Sequence, residues 1–309
     1  STVDLRQANL TWRGDDLQVT GGFAQIFWGV AEARNVVDVI NQIDNVGSPT
    51  GEEKLGQPLL RLSSRTDLGN FELYLLPYFR ERQFPGEGGR LRTNPRVDTD
   101  AARYGRDGNE TAGDVALRFV EQFDAFDLGL SAFHGTSRDP VLAFEAGRLV
   151  PLYPELNQVG LDAVRVAGPW LFKLEVAAGE VGGEGFTAAV GGLEYTFFDL
   201  QGEGRDLGLI AEWLTDDRGG ANQPGTVFDE DLFLGARLTL NDFADTEVLF
   251  GGILDPASEA VQASAEVQRR IDDKTLLELE ARLFEAGDDP LVSAFDADSF
   301  GTLRITRFF

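Results

Sequence analysis

Cysteine and methionine are absent from the 309 residues, and histidine occurs once. Without cysteine there are no disulfide staples, thiolate metal sites or cysteine nucleophiles, and the lack suits a chain exported through an oxidising compartment. Any Ser-His-Asp site must be built on His134, and no serine and acid fall beside it in a recognisable pattern. It follows Phe133 near a strand end and reads as a rim residue. Basic charge is scarce: 27 Lys and Arg stand against 52 Asp and Glu, for a net charge of −25. That balance argues against nucleic acid, because phosphate binding needs a basic face. No apolar run approaches the roughly 18 residues of a membrane helix, and the mean hydropathy is −0.17. Neither observation excludes a barrel, whose strands turn only alternate residues to lipid. No methionine and no charged, apolar leader opens the chain, so any export leader is expected to have been removed ahead of Ser1.

What is present is alternation. The chain is 42% hydrophobic with 23 Phe, a composition that disordered chains lack. Leu277, Leu279, Ala281 and Leu283 share one parity, with Glu278, Glu280 and Arg282 on the other. Trp170, Phe172, Leu174 and Val176 likewise oppose Lys173 and Glu175. Successive strand side chains point to opposite faces, so each such segment has one apolar and one polar side. About 15 segments follow this pattern, centred near residues 8, 22, 62, 74, 118, 130, 162, 174, 191, 210, 236, 250, 266, 279 and 303.

Alternate connections are short: Gly14–Asp16, Asp67–Gly69, Asp124-Ala125, Gly168-Pro169, Asn241–Asp245 and Asp272–Lys274. The intervening ones include long stretches near 30–57, 81–112 and 138–157 and a moderate one at 216–230. Short turns at one end and long loops at the other are the habit of outer-membrane barrels, the short turns being periplasmic. A soluble β-sandwich gives the same local alternation with its apolar face turned inward. Three features favour the barrel: the phased loop lengths, the terminal Phe309, and aromatics at segment ends (Trp12, Trp28, Phe79, Trp170, Phe197, Trp213 and Phe250). The expected fold is all-β: one transmembrane, antiparallel up-and-down β-barrel spanning residues 1–309, with short periplasmic turns and long extracellular loops. Single-chain bacterial barrels close with an even count, so about 16 strands are expected (roughly 14 to 18). Either one upward strand is missing ahead of Ser1 or one strand assignment is wrong.

Leu303-Arg304-Ile305-Thr306-Arg307-Phe308-Phe309 resembles the terminal strand of bacterial outer-membrane barrels, which the barrel assembly machinery reads. Leu303, Ile305 and Phe309 fit its apolar-aromatic pattern, whereas Arg307 stands where an aromatic is usual. Phe27-Trp28-Gly29, Asn41, Lys54-Leu55-Gly56-Gln57-Pro58 and Leu76-Pro77-Tyr78-Phe79-Arg80 resemble a large proteobacterial outer-membrane barrel family of unassigned function. The resemblance implies a porin-like barrel in the outer membrane of a Gram-negative bacterium, in contact with lipid and lipopolysaccharide. It implies no catalytic residues, and homo-oligomers such as porin trimers stay open.

If the apolar parity faces lipid, the other parity lines the pore. Its candidates are Arg61, Arg65, Arg80, Arg118, Lys173, Glu175, Glu194, Glu212, Arg237, Glu266, Glu278, Glu280, Arg282 and Arg304. The arginines gather toward the early strands and the glutamates toward strands eight to fourteen. That distribution suggests a transverse field across the pore, unless the charges merely pair with one another in a wet interior. Within the loop at 30–57, Val36, Ile40, Ile43 and Val46 recur at helical spacing across residues 32–46. This predicts a short amphipathic helix, either a plug or constriction in the lumen or a cap across the rim. The arginine-rich, Gly-containing stretch 80–108 reads as flexible loop. Acidic clusters at Asp216-Asp217, Asp229–Asp231 and Asp288-Asp289 have the carboxylates for Ca²⁺ but no regular ligand spacing, so solvated charge is the plainer reading. The expected function is passive or mildly selective diffusion of small polar or anionic solutes, with no cofactor and no covalent chemistry. The alternatives are a barrel for apolar substrates and a non-conducting structural barrel of the envelope.

Overall fold

A computed structural model describes residues 4–46, 53–86, 88–289, 292–295 and 298–308. Alternating side chains and turn residues set eight strands in the first half of the chain: β1 (Ala8–Arg13), β2 (Leu17–Ala24), β3 (Gln57–Thr66), β4 (Gly69–Leu76), β5 (Arg103–Tyr104), β6 (Asp114–Phe123), β7 (Phe126–Thr136) and β8 (Val141–Glu145). Five follow before residue 217: β9 (Arg148–Tyr153), β10 (Glu155–Ala167), β11 (Trp170–Val181), β12 (Glu184–Phe197) and β13 (Asp206–Asp216). The last are β14 (Glu230–Thr239), β15 (Glu247–Leu254), β16 (Val261–Asp272), β17 (Thr275–Glu285) and β18 (Phe300–Arg307). Fifteen of these join in chain order as one up-and-down antiparallel wall, while β5, β8 and β9 form a separate three-stranded sheet. Each of the fifteen expected strand centres falls in one wall strand.

The loop phase runs through the whole wall. Gly14–Asp16, Asp67-Leu68, Asp124-Ala125, Gly168-Pro169 and Asp273-Lys274 lie at one end, the turn end. The segments 25–56, 77–113 and 137–154 lie at the other, the loop end, together with the tight Gly182-Gly183 link. Fifteen antiparallel strands leave β1 and β18 pointing the same way, and among the described residues those two share no ladder. The expected sixteenth wall strand is thus not among them. The two ends of the wall are nonetheless bridged: the Glu53 carboxylate holds both Arg6, ahead of β1, and Arg304 on β18.

The polarity of the wall separates barrel from sandwich. On β11, Phe172 and Leu174 are 44% and 43% exposed, whereas Lys173 and Glu175 between and beside them are 8% and 0% exposed. On β13, Leu209 and Trp213 face out while Glu212 is buried. A sandwich hides its apolar parity; here the polar parity is inside. Exposed aromatics gather near the turn end: Trp12, Phe123, Phe126, Trp170, Phe197 and Phe198, with Trp170 edge-on to Tyr195 at 4.6 Å. This is the placement of an interfacial girdle. Two expected girdle members are elsewhere. Trp28 is buried inside against Tyr74 (5.6 Å), and Phe79 is buried against Tyr104 and Tyr153 under the small sheet.

That small sheet is new relative to the sequence expectation of two loops. Hairpin β8–β9 takes β5 in parallel alongside β9 and ties 77–113 to 137–154 as a cap at the loop end. The second departure is the segment 32–46, which forms turns and isolated bridges and no helix. Val37 and Ile40 are fully buried, Val36 and Ile43 half-buried, and Val46 is exposed. Short helices are marginal in water, and β-branched residues with Asn and Asp weaken them further. Here the backbone N–H groups find partners on the wall instead.

Candidate functional site: the interior

Strand register fixes which side chains point inward. The pairs Arg61↔Tyr74, Glu72↔Arg118 and Arg118↔Ser131 share the inner face. So do Lys173↔Gly192, Glu194↔Ile210, Glu266↔Glu280, Ser264↔Arg282 and Glu278↔Arg304. Arg65 falls on the same parity of β3, Glu175 of β11, Glu212 of β13 and Arg237 of β14. Arg80 does not. It lies beyond β4, where it binds the Asp4 carboxylate (2.6 Å) and the Gly56 carbonyl (2.7 Å); the alternation ends at Leu76 and Pro77 breaks the parity.

The segment after β2 runs inside this ring. Glu175 Oε1 accepts the N–H groups of Val30 (2.6 Å) and Ala31 (2.9 Å), and Oε2 that of Val37 (3.4 Å). Glu212 accepts those of Glu32 (2.8 Å) and Ala33 (2.8 Å). Four successive backbone donors thus form a nest closed on two carboxylates from β11 and β13, an anion-binding arrangement satisfied from within. Gly29, at φ +132°, lets the chain approach: a Cβ there would lie 2.7 Å from Glu175 Oε1. Trp28, Val37, Val39 and Ile40 pack on inward Leu59, Leu76, Ala116, Phe133, Leu156 and Ala177. Ala31, Ala33 and Val36 pack beside Val190, Ile210, Leu214 and Phe233. The inward apolar side chains Leu76, Ile210 and Leu214 thus pack in the clusters of this plug.

The quoted motifs meet at the root of the plug. Asn41 donates to the carbonyls of Ala24 (2.9 Å) and Leu55 (2.8 Å). Lys54 pairs with Asp38 and lies over Phe27, and Gln57 donates to the Tyr78 carbonyl (2.7 Å).

Charges inside are largely paired. Arg118 meets Asp162 at 2.7 Å and stacks over Trp28 at 5.0 Å. Lys173 lies among Glu212 (3.4 Å), Glu32 (3.6 Å) and Glu194 (3.9 Å). Arg237 binds Glu32 (2.5 Å) and Glu247 (3.0 Å), and Arg282 binds Glu280 (2.8 Å) and Glu266 (2.9 Å). Asp162 and Glu32 are the members the sequence reading passed over. Asp162 shares the inner parity of β10 with Gln158, which was the available signal. Glu32 had none, since its loop has no strand period. Opposite charges pair on both sides of the ring, which weakens any transverse field.

Access is uneven around the ring. The inward side chains of Glu247 and Arg304 are 40% and 45% exposed, against 0% for Glu212. A cavity of about 150 Å³ lies along β15–β18, lined by Glu247, Leu249, Glu266, Gln268, Glu278, Glu280, Thr302 and Arg304. Over the loop end, Asp139 joins Arg82 and, at 3.8 Å, Arg218. Burial alone would raise its carboxyl, but Arg82, Arg218 and Arg34 hold it well below the usual carboxylate range. Among the described residues no three acids or His come together as a metal-holding group; Asp216 is engaged by Arg34 and Arg218. His134, exposed on the outer parity near the loop end, bonds Asn157 at 2.7 Å. On β18, Leu303 and Ile305 point outward, 61% and 65% exposed, and Phe309 lies outside the described residues.

No family model matches the chain, and no curated protein matches it. Among solved structures it is similar to the anion-selective porin from Comamonas acidovorans, with 14% identity and a TM-score of 0.41. The match covers 89% of this chain and 77% of that one.

Proposed function

We propose that the chain is an outer-membrane channel of a Gram-negative bacterium that passes small polar solutes around a fixed internal plug. The observation that carries this is the reversed polarity of the wall: apolar and aromatic side chains face out, and charged ones face a partly accessible interior. Water on the outside would not support that surface, and hydrocarbon would. The assignment needs no cofactor and no covalent chemistry. Leu303 and Ile305, on the outer face of the last strand, fit the assembly signal that the terminal strand resembles.

A closed structural barrel is the second reading, favoured by the plug packing against the inner wall toward the loop end. Reconstitution of detergent-purified protein into a planar bilayer tests the two. Steady, ohmic single-channel current is expected, and a correctly folded barrel that never conducts supports the closed reading. Heat-modifiable migration on a denaturing gel is expected as well; a chain fully soluble without detergent overturns both readings.

A further inference from the structure

We infer that the conducting path is eccentric, running between the plug and strands β15–β18, and that it prefers cations; this rests on the channel reading above. Position comes from the clasp. Glu175 and Glu212 hold residues 30–33 against β11 and β13, and the apolar contacts of the plug continue from β2 as far as β15, where Leu249 and Ile253 join them only partly buried. Among the described residues none of this packing reaches the inner faces of β16–β18, along which most of the cavity lies. Ile40 is further anchored through its carbonyl by Arg138 (2.8 Å), itself held by Asp114 (2.7 Å). The plug is therefore a fixed part of the wall's lining, and the space it leaves open is set.

Sign comes from the balance of charge around that space. The cavity is lined by four carboxylates, Glu247, Glu266, Glu278 and Glu280, and one guanidinium, Arg304. The neighbouring bases bring no surplus. Arg237 is shared by Glu32 and Glu247, Arg282 by Glu266 and Glu280, and Arg304 binds Glu53 of the plug's root. Lys173, deeper in, faces three glutamates of its own. Arg270, at the turn-end rim, is matched by Asp245 at 3.3 Å. Acids outnumber bases along the path, and a narrow, low-dielectric surround focuses that excess onto whatever passes.

The reversal potential of the reconstituted protein under a KCl gradient is the test. A K⁺/Cl⁻ permeability ratio above one is expected. Each neutralised carboxylate is expected to lower it by up to about four-fold, because a unit charge roughly 10 Å away in water favours the cation and disfavours the anion about two-fold each. Glu247→Gln with Glu278→Gln thus lowers it further than either change alone, and Arg304→Gln raises it. Because the chain has no cysteine, position is tested separately. A charged methanethiosulfonate should block current through Ser264→Cys, on the inner face of β16, and spare Ala188→Cys, buried behind the plug. No current in any preparation overturns the channel reading and this inference together. Current with an anion preference, or block at Ala188→Cys alone, overturns this inference and leaves the channel.

Discussion

Glu175 shows how much one buried side chain can organise. Its carboxylate has no solvent contact and serves three backbone N–H groups of a segment more than 130 residues away in sequence. Glu175→Ala should destabilise the protein by about 1–3 kcal/mol for each donor left buried without a partner. Glu175→Gln, which keeps one acceptor, should lose less. Gel-shift unfolding temperatures in detergent would show that order, and equal losses would mean that the clasp contributes only volume. Arg118 and Asp162 make a second case, both nearly buried and 2.7 Å apart. Removing either alone should cost about 3–5 kcal/mol, whereas replacing both with apolar residues of similar size should cost much less. A double-mutant cycle reads the difference, and additive losses would rule out a coupled pair. The inner parity marked Arg118 in the sequence because charge on the polar side of a strand is locally visible. Trp28 was misread because an aromatic at a strand end looks the same whether it turns to lipid or into the lumen.

At the level of elements, legibility followed the range of the contacts. The wall strands were readable because their period-two pattern is local, and their turns carry Gly, Asp and Pro. The plug was visible only as a loop of unusual length with apolar residues. Its conformation depends on Glu175, Glu212 and Arg138, none near it in sequence, so helical spacing misled. The cap was invisible for the same reason: β5 is two residues long and exists through β9. Asp139 helps to hold that cap. Its carboxyl is lowered in the folded state, so the stabilisation it contributes is present above the ordinary carboxylate value and is lost as pH falls. Hydrogen exchange in 137–154 should therefore quicken as pH is taken from about 7 to below about 4, after correction for the intrinsic rate. Asp139→Asn should quicken it at neutral pH and remove most of the acid response. Protection that is indifferent to both changes would show that the apolar stack of Phe79, Tyr104 and Tyr153 holds the cap unaided.

For the whole molecule, one property decides the rest: which parity faces out. Loop phase pointed to a barrel, but alternation reads identically for a wall facing hydrocarbon and for a sandwich facing water. Only the three-dimensional placement of Phe172 and Leu174 outside, with Lys173 and Glu175 inside, distinguishes them. That placement makes a substitution informative in both directions. Leu174 lies near the middle of β11, between the Gly168-Pro169 turn and the Gly182-Gly183 link, so in a bilayer it sits close to the midplane. Leu174→Arg should then cost about 2–4 kcal/mol of folding stability in lipid, falling to about 0–1 for the same change near an interface, as at Phe197. A wall facing water would instead accept arginine at Leu174 with little change and become more soluble. Folding titrations into phosphatidylcholine vesicles measure the two variants on one scale. A loss at Leu174 several-fold larger than at Phe197 is the expected result, and equal small effects would place the apolar parity in water and remove the membrane from the account.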